Sequence, residues 1–140
     1  MKYIAILLVS FLTLLSTKET STIKVKITGF KSIKGKCLVS LHNLAASFPA
    51  KPDKAMQSKN VVITDDGTTV VFENLPNGTY AIAVVHDEND NKKMDTNFFG
   101  IPKEGYGVSN NKYPKMSEPS FDDAKFTLKE DKEISIKMKY

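Results

Sequence analysis

Short runs in which apolar and polar residues alternate constrain this chain more than any other feature. The apolar positions of the clearest runs are Ile23, Val25 and Ile27; Cys37, Val39 and Leu41; Val61 and Ile63; Phe126 and Leu128; and Ile134, Ile136 and Met138. A period of two places successive side chains on opposite faces of a β-strand, whereas an amphipathic helix needs a spacing of three to four. No convincing helical stripe accompanies these runs. The sequence therefore predicts an all-β fold.

Turn-forming residues separate the runs and predict their connections. The Asp66-Gly67 pair lies between the third run and residues 69–72, and it favours a hairpin because glycine tolerates a positive φ. Residues 75–78 read Leu-Pro-Asn-Gly and predict a tight turn into a strand at 80–85, while residues 53–57 could form one helical turn. About seven short strands at this spacing predict a single antiparallel β-sandwich, immunoglobulin-like or transthyretin-like, with one long ordered loop.

The N-terminal residues predict export. A short positive start is followed by an apolar run over residues 4–15, which is too short to span a membrane but matches a secretory signal. We expect a signal peptide within residues 1–21, cleaved near 16–21, and a β-sandwich domain at 22–140 in a secreted or periplasmic protein. An uncleaved N-terminal anchor is the alternative.

Two features of composition exclude classes of function. All twenty basic residues are lysines, and arginine is the usual tool for bidentate contacts to phosphates and bases, so we expect no nucleic-acid partner. Cys37 is the only cysteine and lies in phase with buried positions, which favours a buried thiol over a nucleophile. We likewise expect no membrane partner after signal cleavage.

Oxygen-bearing residues recur at every second position directly after the strand at 80–85. Counted from Asp87, positions 1, 3, 5, 7 and 9 are Asp87, Asn89, Asn91, Lys93 and Asp95, with Lys93 contributing its backbone carbonyl. This spacing is typical of a loop that binds a hard cation such as Ca²⁺. Lys92 stands where a helix-loop-helix calcium site has glycine, and Phe98 stands where it has glutamate. Glu104, Asp122 or Asp123 could supply the missing carboxylate.

Two other interpretations of the same loop stay open. Asp and Asn are also common turn residues, which bond their own backbone in Asx-turns without any metal. Alternatively, His86, Asp87 and Glu104 could converge in a cleft as an enzyme active site. A purely structural or adhesion module without metal is a further alternative.

A long segment without periodicity follows, over residues 96–123. It contains five aromatic residues, which disordered segments rarely have, so we expect an ordered loop packed by its own side chains. We interpret the protein as a non-enzymatic binding module in which Ca²⁺ orders this loop into a recognition surface for a protein or glycan partner.

The chain resembles an uncharacterised family of secreted bacterial proteins, known as a domain of unknown function (family 2141). The residues that carry the resemblance are 75–81, 86–89, 94–107, 109–111 and 119–124. The resemblance implies a small exported β-domain and brings no established activity. More distantly, the Leu-Pro-x-Gly-x-Tyr turn at 75–80 resembles that of transthyretin-like and carboxypeptidase-regulatory-like sandwiches, which supports the fold rather than a function.

Overall fold

A computed structural model describes residues 19–140, and eight strands form its framework. They are β1 (Thr20–Thr28), β2 (Lys36–His42), β3 (Gln57–Val61), β4 (Thr68–Pro76), β5 (Gly78–Asp87), β6 (Tyr106–Val108), β7 (Phe126–Leu128) and β8 (Lys132–Lys137). Within residues 19–140, helical structure is limited to single turns: α1 (Phe121–Ala124) and 3-10 turns at Pro52–Lys54 and Ser109–Asn111. The predicted all-β fold is confirmed.

The strands form two sheets. One has the order β4-β1-β8, and the other has the order β3-β2-β5-β6, with β7 paired to the beginning of β5. Every pairing between strands is antiparallel except that of β1 with β8. Because β5 pairs with β2 along residues 81–87, its end is fixed in the sheet. This places the loop that follows β5 on a rigid base.

One apolar core lies between the two sheets. Alternate residues of β1 and of β2, predicted from their period of two, belong to the same buried cluster. A second, smaller cluster covers the other side of β5, where Ala81 and Ala83 pack with Phe48, Val108 and Ala124. Since β5 is buried on both faces, its sequence is continuously apolar rather than alternating. The strand that carries the candidate site is thus enclosed on both faces.

The prediction of a hairpin at 65–67 is wrong, because the strands on either side of the turn do not pair with each other. The turn itself forms, with reciprocal backbone hydrogen bonds between Thr64 and Gly67 of 3.1 and 2.9 Å. However, β3 pairs with β2 and β4 pairs with β1, so the turn crosses from one sheet to the other. Gly67 packs against β1 so closely that an added Cβ would lie 2.2 Å from the Ile27 carbonyl oxygen. This contact positions the following strand beside β1.

The segment 96–123 is ordered, but less of it is loop than the sequence predicts. Strand β6 extends the second sheet, and Ser120 and Asp123 form a capping box at the start of α1. Tyr113 and Phe121 pack against the second cluster, as expected of an ordered loop. Phe98 and Phe99 do not, because both side chains are exposed. The expectation that the segment packs its own aromatics therefore holds only for its second half.

The predicted signal peptide falls largely outside the described residues. Strand β1 begins at Thr20, and Ser21 is buried, so cleavage at the late end of the 16–21 range would remove ordered residues. Within residues 19–140, no helix has the length and apolar character needed to cross a bilayer.

Candidate functional site

The candidate site is the loop of residues 88–104, which connects β5 to β6. Its two ends are joined at the sheet, where the His86 amide donates to the Gly105 carbonyl over 2.8 Å. His86 and Asp87, the last residues of β5, are completely buried beneath it. The loop therefore projects from the end of the sheet on a closed base.

Asp87 holds the first turn of the loop. Its Oδ1 accepts the Asn91 amide over 3.0 Å, and its Oδ2 accepts the Lys92 amide over 2.7 Å. Asp90 and Lys92 both have a positive φ, of 56° and 64°. A carboxylate that accepts two backbone amides is a strong anchor, because such hydrogen bonds are charge-assisted. Both Asp87 oxygens are therefore occupied in stabilising the turn.

Asn89, Asn91 and Asp95 form a second set of hydrogen bonds above this turn. The amide nitrogens Nδ2 of Asn89 and Asn91 donate to the Asp95 carboxylate over 2.6 and 2.8 Å. Their side-chain oxygens accept backbone amides: the Asn89 Oδ1 accepts the Asn91 amide over 3.3 Å, and the Asn91 Oδ1 accepts the Lys93 amide over 3.1 Å. The hydrogen bonds from Asn91 and Asn89, with Lys93 and Lys103 nearby, lower the pKa of Asp95.

Glu104 joins the two ends of the loop. Its Oε1 accepts the Glu88 amide and its Oε2 accepts the Asp95 amide, each over 3.0 Å. The Lys103 amide donates in turn to the Asp95 carbonyl over 2.8 Å. Only 7% of Glu104 is exposed. This carboxylate thus acts as a bridge between backbone segments seven residues apart in sequence.

His86 is held beneath the loop by two partners. Its Nε2 lies 2.8 Å from the Lys34 carbonyl oxygen, which can only accept, so Nε2 donates. Its Nδ1 lies 2.6 Å from the Tyr140 hydroxyl, which also accepts the Lys31 amide over 3.0 Å. Burial raises the pKa of the Tyr140 hydroxyl. His86 is therefore fixed as a structural link between β5 and two distant segments.

The predicted calcium ligands lie at the end of β5 and in the following loop, and the oxygens of their side chains are engaged in hydrogen bonds within the protein. Asp87 accepts backbone amides, and the two asparagines turn donors rather than acceptors toward Asp95. The Lys93 amide donates to the Asn91 side-chain oxygen over 3.1 Å. In the region that the structure describes, no group of three or more His, Cys, Asp or Glu side chains is arranged to hold a metal. The arrangement matches the Asx-turn interpretation.

The residues of the enzyme alternative are close in space but already engaged. A shallow cleft of about 400 Å³ is lined by Glu88, Asn89, Asp95, Thr96, Lys103 and Glu104. His86 and Asp87 do not line it, because they lie buried below. Glu104 reaches the cleft, but both of its oxygens accept backbone amides. The three side chains do not present a free acid or base to this cleft.

The outer end of the loop is a turn of residues 97–101, here called the apolar tip. The Asn97 side-chain oxygen accepts the amides of Phe99 and Ile101, and the backbone of Asn97 bonds with Gly100 and Ile101 over 3.0 and 2.9 Å. Phe98 and Phe99 are 97% and 82% exposed. The tip is thus an ordered turn that holds two phenyl rings in water.

One known protein family matches most of the chain. Residues 25–137 match the family described as an uncharacterized protein conserved in bacteria, DUF2141. The chain belongs to this family. The match covers every strand that carries the candidate site, from β2 through β6, together with the whole loop. Searches of curated proteins and of solved structures return no match for this DUF2141 chain.

Sequence reasoning missed two parts of the DUF2141 site. The first is Tyr140, which is far from His86 in sequence and belongs to no motif that would indicate a contact with it. Its ring packs against Gly105 so closely that an added Cβ there would lie 2.4 Å from the ring. The second is the apolar tip, which the sequence does indicate. Type I turns favour Asn at the first position and Gly at the fourth, and Asn97 and Gly100 have this spacing. That pair predicts a turn with Phe98 and Phe99 at its apex.

Proposed function

We propose that the protein is an exported, non-enzymatic binding module whose contact surface is the apolar tip. The observation that carries this proposal is the exposure of Phe98 and Phe99, adjacent rings that the fold leaves in water although an apolar core is available. Exposed aromatic side chains grouped with other apolar residues are typical of interaction sites, and Ile101 extends the group. Export is inferred from the N-terminal sequence.

The rigidity of the tip supports this proposal. Glu104 and Asp87 fix the base of the loop, and Asn97 fixes its outer turn through three amides and one carbonyl. A contact surface that is ordered before binding loses less conformational entropy when a partner arrives. The polar residues of the loop thus hold the phenyl rings in place, which is the role that a binding module requires of them.

The engagement of the polar side chains supports a non-enzymatic role. A general acid or base must reach a substrate proton within hydrogen-bond distance. His86, Asp87 and Glu104 instead bind groups of the protein itself, and the first two are completely buried. Ser109, a buried polar residue of the segment 96–123, likewise donates to the Ala124 carbonyl over 2.6 Å.

Binding can be tested by comparing the protein with the variant Phe98→Ser/Phe99→Ser on arrays of proteins, glycans and lipids. We expect at least one class of ligand to bind the unchanged protein and to be lost with the double variant. The control is Leu44→Ser, because Leu44 is 62% exposed and follows β2 at the end opposite to the loop. A ligand that binds both variants equally, or no ligand in any class, contradicts the proposal.

Calcium is a second candidate, favoured by the four predicted ligand side chains that lie at the end of β5 and in the following loop. Binding would require Asn89 and Asn91 to exchange their hydrogen bonds with Asp95 and turn their oxygens toward the ion. Extracellular calcium sites have dissociation constants of about 10⁻⁴–10⁻³ M. At a hundredfold excess over the dissociation constant, Ca²⁺ would stabilise the fold by about 2.7 kcal/mol.

Thermal melts in 10 mM CaCl₂ and in EDTA test this candidate. A rise in melting temperature with calcium, abolished in Asp95→Asn, supports it. Asp95 is the ligand to change, because its carboxylate accepts side-chain rather than backbone donors. An unchanged melting temperature contradicts calcium binding and leaves the binding module intact.

A further inference from the structure

We propose that the outer edge of β8 is a pairing edge for β8 of a second copy of the chain, and that residues 109–113 form a strap that keeps this edge closed. The inference goes beyond the binding role of the apolar tip and does not depend on it. Within residues 19–140, β8 stands at one end of its sheet, with β1 on its inner side. An edge strand presents a row of backbone amides and carbonyls that another strand can bind.

Alternate residues of β8 direct their backbone groups to opposite sides of the strand. Directly after β8, the Met138 amide donates to the Thr28 carbonyl of β1 over 2.8 Å. The even-numbered residues therefore bond toward β1. The odd-numbered residues between 133 and 139 direct their amides and carbonyls to the outer edge.

The strap takes the place of a neighbouring strand on this outer edge. The Asn111 side chain donates to the Ser135 carbonyl over 2.9 Å and accepts the Lys137 amide over 2.8 Å. The Tyr113 hydroxyl donates to the Lys137 carbonyl over 2.8 Å. One side-chain amide thus makes the two hydrogen bonds that a residue of a paired strand would make.

The end of the edge is closed by the backbone of β6. Tyr106 and Lys139 exchange backbone hydrogen bonds of 2.9 and 2.8 Å. Every outward amide and carbonyl from the Ser135 carbonyl to the Lys139 carbonyl is therefore engaged within the same chain. A second strand can pair with residues 133–137 only when the strap leaves β8.

The strap has a strained backbone, and its other side is fixed to α1. Asn110 and Asn111 have φ of 70° and 51°, a conformation that costs free energy in any residue except glycine, although asparagine tolerates it well. Asn110 Nδ2 donates to the Asp123 carbonyl over 3.1 Å, and the Lys112 ammonium lies 2.6 Å from the Asp123 carboxylate. Since these contacts hold the strap to α1, the side chains of Asn111 and Tyr113 determine whether it covers β8.

The order of residues in β8 favours a second copy as the partner of the open edge. Residues 133–137 read Glu-Ile-Ser-Ile-Lys, with an acidic residue at one end, a basic one at the other and Ser135 in the middle. Antiparallel pairing about a twofold axis at Ser135 places Glu133 of each copy directly opposite Lys137 of the other. Opposite charges at directly opposed positions stabilise an antiparallel pair, so the strand is complementary to itself.

The apolar positions and the exposed charges also fit this arrangement. Ile134 of one copy would lie opposite Ile136 of the other, on the face of the sheet that both residues turn toward the core. The Glu133 side chain is 61% exposed and lies 4.0 Å from the Lys24 ammonium, so its carboxylate is accessible to a partner. Lys137 is exposed as well.

The test uses the strap variant Asn111→Ala/Tyr113→Phe, which removes the side-chain hydrogen bonds to β8 and keeps the Tyr113 ring. In size-exclusion chromatography with light scattering, we expect the mass of this variant to double as its concentration rises. Adding Glu133→Lys should abolish the dimer, because it places lysine opposite lysine, and adding Lys137→Glu as well should restore it. Asn74→Ala should not dimerise; it is the matched control, since Asn74 is exposed and has φ of 57°.

Amide hydrogen exchange gives a second measurement. At low concentration, the Lys137 amide of the strap variant should exchange faster than in the unchanged protein, because it has lost its Asn111 acceptor. In the dimer, the Ser135 amide should become protected. If the strap variant does not fold, Tyr113→Phe and Asn111→Asp replace it, since each removes only one donor to the edge.

Three results would overturn the inference. One is a folded strap variant that keeps the mass of one chain at every concentration. Another is a dimer of that variant that survives Glu133→Lys. The third is an unchanged protein that already forms a dimer sensitive to Glu133→Lys, because the strap would then not close the edge.

Discussion

Replacing Glu104 tests whether the loop is held by its own carboxylate. Glu104 accepts two backbone amides, those of Glu88 and Asp95, each over 3.0 Å. Hydrogen bonds to a charged group contribute about 1.5–3 kcal/mol each to the free energy of unfolding, so the two together contribute at most about 3–6 kcal/mol. Water can reach part of the loop once the bridge is gone, because Glu88 is exposed and Asp95 is partly exposed. We therefore expect Glu104→Ala to lower the free energy of unfolding by about 2–4 kcal/mol.

Glu104→Gln sharpens the test, since it preserves the shape of the side chain. The amide retains one acceptor oxygen but turns an NH₂ group toward the second backbone amide, so we expect a loss of about 1–3 kcal/mol. A carboxylate kept for catalysis or ion binding would behave differently, because its replacement usually leaves stability unchanged or raises it. Glu118→Gln is the matched control, as Glu118 is exposed and its replacement should change stability by less than about 0.5 kcal/mol.

Urea unfolding measures these free energies, and amide hydrogen exchange locates the effect. In both Glu104 variants, the amides of Glu88 and Asp95 should exchange faster than in the unchanged protein, while amides in the centre of β5 should change only with global stability. Unfolding midpoints equal to that of Glu118→Gln, with no change in exchange at the two amides, would refute the bridging role.

Three further outcomes follow from the same structure. Lys92→Gly should stabilise the fold by up to about 1 kcal/mol in urea unfolding, because Lys92 has φ of 64°, whereas Lys93→Gly should not. Hydrogen bonds from the Lys112 side chain and, to a smaller extent, from Ser120 hold the pKa of Asp123 well below its usual range. The ionised Asp123 therefore contributes its full stabilisation above pH ~4, and this is lost only as the pH falls through the depressed pKa. Lys112→Gln should be less stable than the unchanged protein at pH 5 in urea unfolding, and the difference in free energy of unfolding should narrow on acidification. Burial raises the pKa of Cys37 to about 12, so iodoacetamide at pH 8 should label it only in denaturant.

The framework of strands could be predicted because one physical rule determines it. Ile23, Val25 and Ile27 alternate with polar residues because β1 has one face on the core and one toward water, and all three are completely buried. Pairing between strands could not be predicted in the same way. The parallel contact of β1 with β8 joins residues about a hundred positions apart, and no local pattern specifies it.

The hydrogen bonds of the candidate loop could not be predicted from the sequence, for a different reason. Spacing shows where oxygens occur along the chain, but it does not show whether an asparagine turns its oxygen or its nitrogen inward. In the structure, Asn89 and Asn91 turn nitrogen toward Asp95. Backbone amides compete with any ligand for the oxygens of Asp87 and Glu104, and they are present at far higher local concentration.

The contrast between the polar residues that hold the loop and the exposed rings at its tip supports the proposed function of the tip. Fully burying a phenylalanine side chain is worth about 1.5–3 kcal/mol, so leaving Phe98 and Phe99 in water forgoes about 3–6 kcal/mol. The same loop uses Glu104, Asp87 and Asn97 to hold those rings in their exposed position. A loop required only to connect β5 with β6 would be at least as stable with polar residues at 98 and 99. Under the proposed binding role, a partner covers the two rings, and a variant that removes them should lose binding without losing stability.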